Sequence, residues 1–258
     1  MALASMSEIF ERMARNGQEF WEVVLADDMD ERQVSREASM AKMLTTWQAM
    51  QDAADSYTGR KRSVSGLVGG DGMKMRQYTF RGCAMTGGYV SEVIAEALSM
   101  AESNACMRRI VAAPTAGACG VLPAVLLPLC KYEELTQHQL LEALYVAAGI
   151  GSIIAYKASI AGASGGCQAE IGTASAMAAG ALVALRGGEG EQIGHAVAMA
   201  LKNLMGLVCD PVAGLVEVPC VKRNVIGAVN AVSAADMALA GIESRIPVDE
   251  VIDAMGEV

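Results

Sequence analysis

The chain has 258 residues, of which 53% are hydrophobic and 19% are charged, so it has enough apolar material for a large buried core. Its 29 acidic residues outnumber its 20 basic ones, and the net charge of -9 argues against nucleic acid or an anionic lipid surface as a partner. Only two histidines are present, which excludes a His-rich zinc site, and the seven cysteines become the candidate ligands or nucleophiles.

The first 58 residues predict a pair of amphipathic surface helices. Ser7 is a candidate N-cap for the first helix and Gly17 its stop signal. The second lies between Ser35 and Ser56, where apolar residues recur at helical spacing. Charges interrupt the N-terminus where a signal peptide needs an apolar run, so we expect a cytoplasmic protein with reduced thiols.

Three segments rich in glycine or proline interrupt the Ala-rich helical remainder. They are TGRKRSVSGLVGGDGMK at 58–74, APTAGACG at 113–120 and CDPVAGLVEVPC at 209–220. No run alternates like a strand, so the predicted fold class is mainly α. The predicted helices of this part are a stretch from about Tyr89, 140–155, 172–186, about 195–205, one from about Arg223 and one from Val248.

The segment from Val111 to Cys130 is uncharged and long enough to cross a bilayer. Pro114, Pro123 and Pro128 would break the hydrogen bonding that a lone span needs. We therefore expect no membrane partner.

Three cysteines are distinguished by their surroundings. Cys167 lies in GASGGCQAEIG, and Cys209 and Cys220 bound CDPVAGLVEVPC, so backbone can approach a ligand closely at each of them. The residues by themselves leave two interpretations open, a metal site or three small buried hydrophobic side chains. Of the other cysteines, Cys83, Cys106 and Cys130 lie among apolar or helical neighbours and are predicted to be packed thiols, and Cys119 in the PTAGACG segment is predicted to be structural. His138 and His195 lie in poor settings for a base, and there is no CxxC, Walker A or GxGxxG motif.

Longer runs carry a resemblance to a known family. They are GASGGCQAEIGTASAMAAGALV, LKNLMGLVCDPVAGLVEVPCVKRNVIGA and NAVSAADMALAGIESRIPVDEVIDAM, with SGLVGGDG and PTAGACG as further loops. The sequence resembles the α subunit of bacterial iron-sulfur-dependent L-serine dehydratase (L-serine ammonia-lyase) from its first helices to its last residue. The resemblance implies one large helical domain over 1–258 whose glycine-rich loops form the site, and a role in amino-acid degradation and gluconeogenesis.

The resemblance also implies a cofactor and a partner. The cofactor is a 4Fe-4S cluster held by Cys167, Cys209 and Cys220, with one iron open to L-serine as a Lewis acid. In two-subunit members a β chain carries a Ser-rich motif ending in His-Thr, and that motif is absent here, so the catalytic base is unassigned and a β subunit is expected. Similar α chains continue further, so we expect this one to lack a C-terminal tail.

A serine zwitterion needs donors for its carboxylate and an acceptor for its ammonium, and glycine-rich turns offer backbone N–H groups at low steric cost. Lys202, Lys222 and Arg223 flank the cysteines and are candidates to fix the cluster or the carboxylate. The predicted substrate-binding residues are Ser65, Gly69, Gly70 and Asp71, with Asp71 facing the ammonium, then Thr115, Ala116 and Gly117, and finally Asn203.

Two alternatives remain at this point. One keeps the cluster and changes the substrate to threonine or another small hydroxy amino acid, since one methyl group shifts binding by only about 1–3 kcal/mol. The other is a non-enzymatic helical sensor or scaffold subunit whose cysteines are simply buried.

Overall fold

The computed structural model describes residues 3–258, and over that range the chain forms α-helices, one short 3-10 helix and no β-strand. The predicted mainly α fold is confirmed. In chain order the helices are α1 (Met6–Asn16), α2 (Phe20–Arg32), α3 (Arg36–Asp55), α4 (Asp71–Phe80), α5 (Gly87–Ala105), α6 (Val121–Tyr132), α7 (Gln137–Lys157), α8 (Gly162–Leu185), α9 (Gly190–Leu204), the 3-10 helix (Val212–Gly214), α10 (Cys220–Leu239) and α11 (Val248–Glu257).

Both ends of α1 are capped, but the N-cap is a different serine from the one predicted. Gly17 ends the helix in the left-handed conformation at φ 64°, as predicted. The N-cap is Ser5 rather than the predicted Ser7, because the Ser5 side chain accepts a hydrogen bond from the N–H of Glu8. The Ser7 hydroxyl instead donates to Asp249 at 2.7 Å and ties α1 to α11.

The first 55 residues contain three helices rather than the predicted two. The helix between Ser35 and Ser56 is confirmed as α3, and α2 was missed. The buried residues of α2 are Phe20, Val23, Val24 and Leu25, all in its first half, so they do not recur at helical spacing along its length.

Several helices begin earlier than the sequence predicts. α8, α9 and α10 start several residues before their predicted starts, and α4 begins inside a segment predicted as loop. Glycines in the first turns of α4, α8 and α9 lower the intrinsic helix propensity, but packing and caps outweigh it. For α9 the compensation is a reciprocal capping box between Glu189 and Gln192.

Helix α8 is central and packs against α6, α7, α9 and α10. Small residues allow these helices to approach closely. A Cβ added at Gly227 of α10 would lie 2.8 Å from the Ile171 side chain of α8, and one at Gly151 of α7 would lie 2.9 Å from the Met177 sulfur. The core is therefore close-packed from Ala, Gly, Val, Leu and Ile, which fits the 4% aromatic content.

One helix, α7, is long and apolar enough by length and composition to cross a membrane, and 67% of its most apolar window is buried inside the molecule. The core helix of a soluble protein passes the same test, so this is weak evidence for a span. The segment 111–130, considered from the sequence, is instead a loop followed by the start of the shorter α6. α6 continues through Pro128, contrary to the breaking role expected of that proline.

Three helices begin directly after the glycine- or proline-rich segments. We call these segments the first glycine loop (58–70), the second glycine loop (113–120) and the cysteine loop (209–219); α4, α6 and α10 follow them in that order. Within α8, Gly166 at φ 74° and ψ 175° interrupts the helix, so a new regular stretch starts at Cys167. Helix N-termini carry free N–H groups and a partial positive charge, which favour anionic ligands.

Candidate active site

The three predicted ligand cysteines come from three backbone settings. Cys167 opens the regular part of α8 and is buried, Cys220 is the first residue of α10 and is half-buried, and Cys209 is exposed in the cysteine loop. Burial is the main cause of the raised pKa of the Cys167 thiol, and the charge of Cys209 adds to it. Burial also raises the pKa of Cys220, and the charges of Cys167 and Cys209 add to that.

Arg223 connects Cys167 to the residue that precedes Cys209. Its guanidinium donates to the Cys167 sulfur at 3.1 Å and to the Val208 carbonyl at 2.9 Å. The same nitrogen lies 2.6 Å from the carboxylate of Asp210. Arg223, one of the flanking residues singled out in the sequence, thus fixes the start of the cysteine loop against α8.

Asn224 fastens the second glycine loop to the start of α10. The side chain is fully buried, accepts from the Gly120 N–H at 2.8 Å and donates to the Gly117 carbonyl at 2.7 Å. It also donates to the Cys220 carbonyl at 3.1 Å. This one amide therefore places the loop around Thr115 beside Cys220.

Glu170 projects into the same region from α8, one turn after Cys167. Its carboxylate accepts a hydrogen bond from the Thr115 hydroxyl. A Cβ added at Gly117 would lie 2.6 Å from one carboxylate oxygen, and a Cβ added at Gly162 would lie 3.0 Å from the other. Two glycines from different segments thus leave the space that this carboxylate occupies.

The N–H groups of residues 115–117 donate no hydrogen bond within the part of the chain that the structure describes. Three successive free amides in a turn favour a carboxylate or another small anion. The predicted substrate-binding residues Thr115, Ala116 and Gly117 therefore lie together, beside Glu170 and Cys220, with donors available.

The first glycine loop is tied to the cysteine loop by a buried carboxylate. Glu217 is 7% exposed and accepts from the hydroxyls of Ser63, at 2.7 Å, and of Ser65. This contact brings the predicted residue Ser65 to the cysteine loop, but its hydroxyl is already engaged within the chain.

A second buried carboxylate holds the start of α4. Glu102 is 1% exposed and accepts from the N–H groups of Gly70 at 3.1 Å, Asp71 at 2.7 Å and Gly72 at 3.3 Å. The amides of two predicted substrate residues thus face the interior. The Asp71 side chain, predicted to face an ammonium group, pairs with Lys74 at 2.9 Å and with Lys222 at 3.3 Å.

Two predicted substrate residues differ in their surroundings. Gly69 is buried at φ 133°, where its carbonyl accepts from Arg62. Asn203 is exposed on α9 and hydrogen-bonds to Asn230 at 2.8 Å. Asn230 in turn bonds to Ser175, more than two turns along α8 from the thiol end. No hydrogen bond within residues 3–258 joins Asn203 to the glycine loops or to the cysteine loop.

A cavity of about 310 Å³ opens beside Cys209. Its walls are the glycine-rich turn at 162–166 and the segment 206–209. Gln168 fixes these two walls together, because its N–H donates to the Leu207 carbonyl at 2.9 Å and its side-chain oxygen accepts from the Gly206 N–H at 2.7 Å. The space suits a molecule the size of a small amino acid.

The remaining cysteines are only partly as predicted from the sequence. Cys119 is fully buried, and burial raises the pKa of its thiol to about 12, as expected for a structural residue. Cys106 and Cys130 are half-buried, whereas Cys83 is exposed, so the prediction of a packed thiol at Cys83 is wrong. Cys83 lies three residues after the end of α4, in the segment that leads to α5.

Sequence reasoning missed the polar side chains that assemble this site. Glu170 had a usable signal, since its spacing of three from Cys167 puts both on one helix face. Glu102, Glu217 and Asn224 gave none, because each acts across long sequence separations. Within residues 3–258, no three His, Cys, Asp or Glu side chains lie close enough together to hold one metal ion.

Over residues 3–258 the protein is an all-helical domain. Its two glycine-rich loops are tied to the cysteine loop and to the first residue of α10, and this arrangement is its structural class. The family model for the serine dehydratase alpha chain matches residues 15–258, so the chain belongs to that family. It is 46% identical over 237 residues to the probable L-serine dehydratase, alpha chain, of Bacillus subtilis (strain 168), covering 92% of this chain and 79% of that protein.

Two further relatives show how the similarity is distributed. The L-serine dehydratase, alpha chain, of Peptoniphilus asaccharolyticus is 38% identical over 257 residues, which cover 99% of this chain and 88% of that protein. L-serine dehydratase TdcG of Escherichia coli (strain K12) is 45% identical over 163 residues, covering 62% of this chain and 36% of that protein.

Proposed function

We propose that the chain is the α subunit of an L-serine ammonia-lyase, which removes water from L-serine and yields pyruvate and ammonia. The observation that carries the proposal is that Asn224 ties the second glycine loop to the backbone of Cys220, while Thr115 of that loop bonds to Glu170, one turn after Cys167. It is supported by membership of the serine dehydratase alpha chain family.

The proposed cofactor is a 4Fe-4S cluster held by Cys167, Cys209 and Cys220. The residues fit it in kind, because Cys167 and Cys220 begin regular stretches of helix whose N-termini favour bound anions, and Arg223 holds the chain next to Cys209 against Cys167. A cluster also spreads its thiolates over different irons, unlike a single ion. When bound, it supplies a Lewis-acidic iron that polarises the serine hydroxyl.

The chain's own residues would bind and orient the substrate. The N–H groups of 115–117 are free to donate to the serine carboxylate, whereas those of Gly70 and Asp71 already donate to Glu102. We therefore assign carboxylate binding to the second glycine loop. The first glycine loop serves as a wall, tied through Glu217 to the cysteine loop.

A partner chain belongs to the proposal. The Bacillus subtilis and Peptoniphilus asaccharolyticus relatives are both named alpha chains, and no His-Thr motif occurs in this sequence to complete the site. We expect deaminase activity only when a β subunit is supplied. Full activity of this chain by itself would contradict this part of the proposal. A cytoplasmic location is also proposed, since reducing conditions suit the free thiols.

Single cysteine replacements test the cofactor. Cys167→Ser, Cys209→Ser and Cys220→Ser should each lower the iron content and the visible absorption of protein prepared without oxygen. We expect serine turnover to fall by at least ~100-fold, since even residues one shell out from a metal cost about 10- to 100-fold. Cys130→Ser is the matched control and should retain both. Wild-type protein that stays colourless and iron-free after reconstitution would support the scaffold alternative instead.

Oxygen sensitivity gives a second test. An iron without a protein thiolate is open to oxidants, so air should abolish dehydratase activity much faster than it unfolds the helices. Ferrous iron with a thiol reductant should restore activity. Following turnover and far-ultraviolet circular dichroism together checks both statements. Activity that survives air in an iron-free sample would remove the cluster from the mechanism. Parallel assays with serine and threonine decide between those substrates.

A further inference from the structure

The cavity beside Cys209 is bordered by a side-chain amide with an unused hydrogen-bond donor, that of Gln168. No Asp, Glu, Lys or Arg side chain within residues 3–258 lines this space of about 310 Å³. The other polar side chain besides the Cys209 thiol is that of Ser164, whose hydroxyl is engaged with the Ala161 carbonyl at 3.3 Å and the Ser159 hydroxyl at 3.1 Å. The NH₂ group of Gln168 is therefore the side-chain donor to consider.

The orientation of the Gln168 amide is fixed by its neighbours. Its side-chain oxygen accepts from the Gly206 N–H at 2.7 Å, and its own backbone N–H donates to the Leu207 carbonyl at 2.9 Å. A backbone N–H can only donate, so the opposite end of the amide must be the NH₂ group. The side chain is 5% exposed and is held between α8 and the segment 206–209.

The nitrogen of this amide, Nε2, faces the cavity. Over residues 3–258 it has no hydrogen-bond partner, and it is not enclosed by protein atoms. The open space that Gln168 borders is the cavity beside Cys209. Both N–H bonds of this nitrogen are therefore available to a bound molecule, in a place where water has little access and a hydrogen bond is strong.

We infer that Gln168 binds the side-chain hydroxyl of the substrate through Nε2, an assignment that rests on the proposed function. Gln168 directly follows Cys167 and is bonded to the segment that ends at Cys209, so its amide lies between two of the proposed cluster ligands. The hydroxyl is the group of serine that has to approach the cluster. A donor at this position meets the hydroxyl oxygen rather than the carboxylate.

The carboxylate end of the substrate has its own donors nearby. The second glycine loop and the wall of the cavity lie against the same side chain, that of Glu170. A Cβ added at Gly117 would lie 2.6 Å from one of its carboxylate oxygens, and a Cβ added at Gly162, in the cavity wall, would lie 3.0 Å from the other. One carboxyl group thus separates the two places, a span that an amino acid bridges with its carboxylate on 115–117 and its side chain towards Gln168.

This hydrogen bond matters most when the hydroxyl leaves. The oxygen departs with the electron pair of the Cβ–O bond, and the negative charge that builds up on it strengthens the bond from the amide. The amide keeps its proton, since it does not titrate, and the water that is lost forms from the departing hydroxide and the proton removed at Cα. A ligand without a hydroxyl would leave the buried NH₂ group unpaired, so Gln168 also serves specificity.

The test replaces the donor and keeps the acceptor. Gln168→Glu retains an oxygen for the Gly206 N–H at nearly the same size, and that N–H favours the ionised carboxylate, which has no proton to donate. In the complex of α and β subunits prepared without oxygen, kcat/KM for L-serine should fall by about 100-fold or more. Iron content, visible absorption and the urea midpoint should stay unchanged. Gln51→Glu adds the same charge at an exposed position of α3 and should match the wild type.

A matched pair of ligands tests the contact without turnover. 2-Methyl-L-serine and 2-aminoisobutyrate differ by one hydroxyl group, and neither has a Cα proton, so neither can be eliminated. Calorimetry should show that the wild-type complex prefers 2-methyl-L-serine by at least ~10-fold and that Gln168→Glu loses most of this preference. Equal affinities in the wild type, with absence of binding to both included, would overturn the assignment.

A purely structural role for Gln168 has a different signature. Gln168→Met removes the acceptor as well as the donor, so it should lose stability in addition to activity. A kcat/KM of Gln168→Glu within about threefold of wild type, beside an inactive Gln168→Met, would show that only the bond from Gly206 matters and would refute the proposal. Loss of iron from Gln168→Glu would refute it too. If the wild-type complex itself neither binds iron nor consumes serine, the proposed function fails instead.

Discussion

The core around α8 and the loop end around Cys167 are built differently. In the core, small residues allow helices to approach, and apolar contact supplies the stability. At the loop end the backbone is irregular and is held by single buried polar side chains, namely Glu102, Glu217 and Asn224, each with two or more partners. An apolar core tolerates substitutions that keep the total side-chain volume. A loop held by hydrogen bonds does not, because it needs particular donor and acceptor atoms.

That contrast predicts which region controls stability and which controls activity. A cavity in the core should lower the free energy of unfolding and leave the folded molecules active. A lost hydrogen bond at the loop end should cost less stability and more activity. Four changes test this, from the largest expected loss of stability to the smallest.

Ile150→Ala should have the largest effect on stability. Ile150 is fully buried on α7 and lies directly over Gly180 of α8, so truncation leaves a cavity. We expect the free energy of unfolding to fall by about 3–4 kcal/mol. Urea unfolding followed by circular dichroism measures it, with Ile150→Val as the conservative control at about 1 kcal/mol. A large fall in kcat of the folded protein would contradict the division between core and site.

Glu102→Gln should cost about 2–3 kcal/mol, because an amide offers one acceptor oxygen where the carboxylate serves three backbone N–H groups and the Tyr57 hydroxyl. Amide hydrogen exchange should rise at the start of α4 and in the first glycine loop. Glu92→Gln on the same helix is the matched control, since its pair with Lys131 is solvent-exposed. Equal losses of unfolding free energy in both variants would show that the Glu102 hydrogen bonds add no more stability than an exposed ion pair does.

Asn224→Ala should cost about 1–2 kcal/mol and should affect serine turnover more than that loss suggests. The change leaves the Gly120 N–H and the Gly117 carbonyl without partners and releases the second glycine loop from Cys220. Urea titration and steady-state kinetics of the α and β complex measure the two effects. Asn203→Ala, at an exposed position, should change stability by less than ~0.5 kcal/mol. Its KM for serine tests the predicted role of Asn203.

Asp71→Asn should have the smallest effect, and one that depends on pH. Hydrogen bonds from Lys74 and from Lys222 hold the pKa of Asp71 below its ordinary value of 3.8. The ion pairs therefore add stability above about pH 4 and lose it as the pH falls through the lowered pKa. At pH 7 we expect a difference of less than ~0.5 kcal/mol, because the pairs are exposed. Urea midpoints of wild type and variant should differ less at pH 3; a difference that grows on acidification would refute this.

The sequence predicted the regular parts of the fold better than its irregular ones. α3 and α11, and the left-handed stop at Gly17, follow from local periodicity and capping, and these predictions are confirmed. α2 and α4 were missed, and α8 was predicted to start too late. Their glycines or clustered apolar residues give no helical pattern in the sequence, because these helices are stabilised by packing rather than by intrinsic propensity.

For the site, the sequence supplied the kinds of groups but not their pairing. It singled out three cysteines, two glycine loops and Arg223, and the contact of Arg223 with Cys167 is seen in the structure. It assigned the first glycine loop to the substrate, whereas the amides at Gly70 and Asp71 bind Glu102. The ligand role of the cysteines stays a prediction, as does the substrate role of 115–117.

By itself, the sequence determined the helical class, the family and the residue types available for chemistry, since these depend on composition, local spacing and long runs of similar residues. Tertiary structure alone decided which amides are free, which carboxylate stands beside the thiols and which loops are held together. These outcomes depend on hydrogen bonds between residues that are 30 to 154 positions apart, such as Gly72 with Glu102 and Ser63 with Glu217. No local pattern encodes such a pair, because each partner is satisfied only after the helices have packed.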